Sequence, residues 1–122
     1  MVRTVSRAMV AHEVTVPVET LRRLLRPARP LHIRRAAHKL LLRRDTWTRL
    51  DADLRLLAAR DPDLAEAARS DLGSWMARDA ATVYGRPSEE ARAALVRLLE
   101  DARDELPEAV GARVRWQLGV LG

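Results

Sequence analysis

Between Val18 and Leu118 apolar residues recur at steps of three and four, in blocks punctuated by proline. That rhythm commits the chain to amphipathic helices. Strand-like alternation is confined to Val14, Val16 and Val18, which with Thr15 and Pro17 make an extended link too short for a sheet. The expected fold class is all-α, with about six helices in antiparallel pairs, stacked as a short α-solenoid or an irregular helical bundle. A chain of 122 residues, 48% hydrophobic and 32% charged, suffices for one core without metal or disulfide. The organisation expected is an N-terminal helix and extended link over 1–17, then a single all-helical domain over 18–122.

Each segment carries its own start and stop signals. Leu21, Leu24 and Leu25 form a first stripe, ended by Pro27, because the residue before proline is pushed out of the helical region. Pro30 opens a second helix with Ile33, Ala36, Ala37, Leu40 and Leu41 as its buried face. Asp45 is the N-cap of a third, carrying Trp47, Leu50, Leu54 and Leu57, and Asp61-Pro62 marks its end. From Pro62 a fourth places Leu64, Ala68, Leu72, Trp75 and Met76 inward and runs, with a break at Gly73, to Tyr84, where Gly85 and Pro87 stop it. Ser88 caps a fifth, with Ala91, Leu95, Leu98 and Ala102 inward, while Glu89 and Glu90 suit the positive end of its dipole. Pro107 begins a sixth, with Val110, Val114 and Leu118 toward the core. The candidate helix pairs are 18–43, 45–84 and 88–118.

Three helices follow a proline, at Pro30, Pro62 and Pro107, spaced by 32 and 45 residues. An offset of 32 lays Pro30 on Pro62, Ala36 on Ala68 and Leu40 on Leu72, a spacing found in helix-pair repeats. The runs Pro30-Leu31-His32-Ile33-Arg34-Arg35-Ala36-Ala37 and Asp61-Pro62-Asp63-Leu64-Ala65-Glu66-Ala67-Ala68 resemble the second helices of degenerate HEAT-type repeats, over roughly 18–118. The Arg-, Ala- and Leu-rich style is similar to that of actinobacterial helical-repeat proteins. This resemblance implies a right-handed stack of helix pairs whose concave surface holds proteins and, in some branches, DNA backbone.

Charge is unevenly spread. Met1 to Arg44 holds 11 basic and 2 acidic residues, a net +9, and Asp45 to Gly122 holds 11 basic and 15 acidic, a net −4. Such a block attracts nucleic acid, anionic membrane or an acidic partner, unless it is neutralised by the acidic remainder. At 100° per residue His32, Arg35, Lys39 and Arg43 share one sector opposite the apolar face. With Arg22, Arg23, Arg26 and Arg29 they form the candidate surface for an anionic partner, with Arg44 as a further phosphate contact. No aromatic residue lies in 1–44, so a base-stacking platform is not expected there.

The residues argue against most chemistry. There is no cysteine, and His12, His32 and His38 are too scattered for a zinc set. Ser6, Ser70, Ser74 and Ser88 lack a nucleophile-elbow setting, and five scattered glycines make no phosphate loop. Asp51 and Asp53 form a D-x-D string, but within a periodic helix positions i and i+2 point apart, so a solvated face is expected. Glu100, Asp101, Asp104 and Glu105 read as solvated surface, partly balanced by Arg97 and Arg103. Trp47 and Trp75 sit on inward stripes, and Trp116 stands at the edge of its stripe as the candidate interface aromatic.

No run approaches the ~20 apolar residues of a membrane span. Arg3 and Arg7, among Val2, Val5 and Met9, look superficially like a transit peptide, but His12 and Glu13 interrupt it and a cytoplasmic location is expected. No catalytic, cofactor or metal residue is assigned. A non-enzymatic protein-interaction module with a basic N-terminal surface is the leading expectation, and a nonspecific duplex DNA or RNA backbone-binding domain is the alternative.

Overall fold

A computed structural model describes residues 16–83 and 85–119. The expected N-terminal helix, most of the link, and the arrival of the fourth helix at Tyr84 lie outside these described residues. Regular structure among them is helical throughout: α1 (Val18–Leu24), α2 (Leu31–Leu42), α3 (Thr46–Ala58), α4 (Ala65–Ser74), α5 (Glu89–Asp101) and α6 (Glu108–Gln117). One π turn, Trp75–Asp79, and one 3-10 turn, Ala80–Thr82, extend α4, and a second 3-10 turn, Arg103–Glu105, follows α5. The protein is all-α. No helix among the described residues is long and apolar enough to cross a membrane. By its internal packing the chain divides into two compact units, residues 1–44 and 45–122.

In the first unit α1 packs on α2, each helix starting directly after a proline, Pro17 or Pro30. Leu21 and Leu25 are buried, as are Ala37 and Leu41 on α2. The buried strip of α2 is Arg34, Ala37, His38 and Leu41. The expected face of Ile33, Ala36, Ala37, Leu40 and Leu41 is therefore corrected by part of a turn: Ile33, Ala36 and Leu40 are half-buried. The rotation brings Arg34 inside, where its Nε donates to the carbonyl of Leu25 at 2.8 Å. Leu25 is the C-cap of α1, so a buried guanidinium serves the carbonyl end of that helix.

The second unit is built around α3, which packs on both α4 and α5. Leu50, Ala52, Leu54, Leu56 and Leu57 are all buried, and Leu64, Ala68, Leu72, Leu95 and Leu99 join them in the core. Asp45 accepts from Thr48 N at 3.3 Å and Ser88 from Ala91 N at 3.1 Å, so both expected caps are formed. Pro62 does not open α4. The Asp61 side chain accepts from Asp63 N and Leu64 N at 2.9 and 3.0 Å, which holds 61–64 as a turn and delays the helix to Ala65.

The π turn also corrects the inward assignment of Met76. Its wider winding keeps Trp75 fully buried but swings the next residue out, leaving Met76 38% exposed. Trp47 is half-buried and Trp116 is 64% exposed.

Candidate functional site

The basic residues singled out on the first unit divide by what surrounds them. Arg22 is half-buried and ion-paired with Glu19 at 2.7 Å, one turn back on α1. Arg23 on α1 and Arg26 and Arg29 in the turn before α2 are exposed. So are His32, Arg35, Lys39 and Arg43, which run along one side of α2 and past its end. Arg44 is half-buried, donating through Nη2 to the Val16 carbonyl. Arg23, Arg26, Arg29, Arg35, Lys39 and Arg43 meet no carboxylate among the described residues, and Glu19, the one described acid of this unit, is taken by Arg22. The exposed members of the expected stripe are thus on the surface with no described carboxylate paired to them.

A second cluster was not legible in the sequence. The solvated-face reading of Asp51 and Asp53 is overturned: they are 6% and 0% exposed. Asp51 accepts from Arg55, with Nε at 2.5 Å. Asp53 lies deeper, because α3 is packed against both α4 and α5 and the flank bearing Asp53 meets Asp71 of α4. Arg49, one turn before Asp53, forks onto Asp71, with Nε to Oδ2 at 2.9 Å and Nη2 to Oδ1 at 2.8 Å. Its Nη1 reaches Asp79 Oδ2 at 2.7 Å, so one guanidinium ties Asp71 of α4 to Asp79, the last residue of the π turn.

Protonation follows from that geometry. Burial, and then a hydrogen bond to Asp71 and its negative charge, push the Asp53 carboxyl up to about 10, against the opposing pull of Arg49. At neutral pH Asp53 is therefore a neutral acid donating to an Arg-bound carboxylate. Arg49 is held above its ordinary value, first by its hydrogen bond to Asp71, with burial opposing and Asp79 adding. Among the described residues no group of three His, Asp or Glu side chains is disposed to hold a metal ion. Arg49 supplies the positive charge of this cluster, and what the cluster does is join α3 to α4 and to the end of the π turn that follows it. The signal in sequence would have been an Arg and an Asp at i and i+4, Arg49 and Asp53, facing an Asp of the next helix.

The acidic run behaves differently from its expected balance. Glu100, Asp101 and Asp104 are exposed, while Glu105 is half-buried and bridged by Arg60 at 3.2 Å and Arg69 at 3.1 Å. Near the end of α6 the exposed Trp116 carries the Arg113 guanidinium over its ring, 4.8 Å from the centroid. Comparison of the chain with protein-family models, with curated proteins and with solved structures finds no match.

Proposed function

We propose that this protein is a non-enzymatic interaction module whose basic first unit holds the acidic face of a protein partner. The observation that carries this reading is the set of six cations, Arg23, Arg26, Arg29, Arg35, Lys39 and Arg43, exposed with no carboxylate among the described residues to neutralise them. Like charges gathered this way repel one another and gain from an anionic surface brought against them. The exposed Trp116 on the second unit supports a protein as that partner, since a large exposed aromatic is a typical anchor of protein interfaces. A non-enzymatic role is supported by the Asp53–Asp71 carboxyl pair being mostly buried, with Asp71 engaged by Arg49.

Duplex nucleic acid is the second reading. It is favoured by the placing of His32, Arg35, Lys39 and Arg43 along one side of a rigid helix, in a segment with no aromatic side chain to stack on bases. Fluorescence anisotropy with labelled poly-glutamate and with a random-sequence DNA duplex, at about 50 and 200 mM salt, separates the two. Binding of poly-glutamate at least as tight as the duplex supports the protein reading. Micromolar duplex binding that collapses with salt while poly-glutamate stays weak transfers the surface to nucleic acid, and no binding of either probe rejects both.

A further inference from the structure

A groove of about 450 Å³ on the second unit is lined by Arg86, Pro87, Glu89, Arg92, Trp116, Gln117, Leu118 and Gly119. Its shape is set locally. Arg92, on the first turns of α5, donates from Nε to the Leu118 carbonyl at 2.9 Å, which fixes the start of α5 against the end of α6. Gln117 donates from Nε2 to the Ala80 carbonyl at 2.7 Å and anchors the same end of α6 from another direction. Gly119, in the left-handed region with φ +74, follows directly on the C-cap Leu118 at the end of α6, and a Cβ there would meet nothing within 4 Å.

The charges in this groove run against the unit that carries it. The second unit is net negative, yet the lining holds Arg86 and Arg92 against the single carboxylate Glu89. Neither arginine meets a carboxylate among the described residues, and the bond of Arg92 to Leu118 uses Nε and leaves its terminal nitrogens. Arg113, which does not line the groove, lies over the ring of Trp116, with its Nε buried and meeting no acceptor among the described residues. Trp116 remains 64% exposed with the guanidinium in place, so much of the indole is still open.

We infer that this groove docks an acidic peptide segment of a protein partner, presenting a carboxylate to Arg86 and Arg92 and an apolar side chain to the open part of Trp116. Charge complementarity selects the occupant, because a carboxylate brings both negative charge and two oxygens to the paired N–H donors of a guanidinium, whereas a neutral amide offers one uncharged acceptor and an ammonium none. The apolar contact gives the site its anchor: an indole flanked by arginine combines the residue types in which interface energy concentrates. A long acidic stretch is disfavoured by Glu89, which repels a second carboxylate at the α5 end of the groove. The fitting segment therefore carries isolated acidic residues beside an apolar one.

The test is selection of a random peptide library displayed on phage against the immobilised full chain, followed by anisotropy of the enriched peptides with the chain and three variants. Enrichment of an acidic residue next to an apolar one, with affinity falling at least tenfold in Trp116→Ala and in Arg86→Glu, is the expected result. Both positions are exposed, so thermal melts of these variants should match the parent. The third variant, Arg35→Glu with Lys39→Glu and Arg43→Glu, should bind the peptides within twofold of the parent, which separates this groove from the basic face of the first unit. Failure to enrich acidic peptides, or peptides whose affinity is indifferent to Trp116 and Arg86, overturns the inference whatever the first unit binds.

Discussion

Arg49 grips Asp71 through two parallel hydrogen bonds, 2.9 and 2.8 Å, between helices α3 and α4. Both side chains are mostly buried, so the pair is partly shielded from salt and either charge left alone is poorly hydrated. Arg49→Met should therefore lower unfolding stability by about 3 kcal/mol, because it strands Asp71 beside Asp53. Arg49→Lys keeps the charge but not the fork and should lose less. Urea denaturation at neutral pH measures both, and a loss below about 1 kcal/mol for Arg49→Met would show that Asp71 finds another partner.

Asp53 should set a slope in the pH dependence of stability. Its carboxyl is raised in the folded protein from an ordinary 3.8 to about 10, so folding takes up a proton between those limits. The contribution is fully present below the lower value and is lost as pH rises through the window, by at most about 1.4 kcal/mol per pH unit. Asp53→Asn keeps a donor for Asp71 and has nothing to titrate. Its stability relative to the parent should rise steadily from about pH 5 to pH 9. A difference that stays flat would mean that Asp53 is not protonated in the fold.

The Asp61 turn offers a local test. Asp61→Ala removes the acceptor that the Asp63 and Leu64 amides share in a turn whose two ends, Asp61 and Leu64, are buried, and should cost about 1–2 kcal/mol. Asp61→Asn retains an oxygen at that position and should recover most of the loss. Thermal unfolding of the two variants distinguishes the hydrogen bonds from the charge.

On the first unit, replacing Arg35, Lys39 and Arg43 together by Glu should change stability by no more than about 0.5 kcal/mol, since all three are exposed and unpaired among the described residues. The same change should abolish poly-glutamate binding and, if the duplex is the ligand, reduce the slope of log affinity against log salt by about 3. Unchanged binding would remove this face from the functional surface.

What was legible in the sequence follows from how locally each feature is encoded. Asp45 and Ser88 announced α3 and α5 because a cap acts within three residues of itself, and the exposed row on α2 followed from angular spacing alone. Asp51 and Asp53 depart from the expected solvated face because α3 is packed against two neighbours and has little open side. Only pairing across elements reveals that Asp53 faces Asp71. Met76 was misplaced for a related reason: a 3.6-residue period was carried through a π turn that Arg49 spans from another helix. The groove beside Trp116 depends on α5 and α6 being held together by Arg92, a contact across 26 residues that periodicity cannot supply.

The aromatic side chains all lie past Asp45, and the three indoles among them occupy graded depths, Trp75 enclosed, Trp47 partly covered and Trp116 open. Intrinsic fluorescence is therefore a spectroscopic label for one unit alone. Its blue edge reports the packing around Trp75, its red edge the groove, and the helical hairpin that carries the basic face is dark. That hairpin has no emitting side chain of its own, and a far-ultraviolet dichroism trace that departs from the emission melt is how separate unfolding of the first unit would be seen.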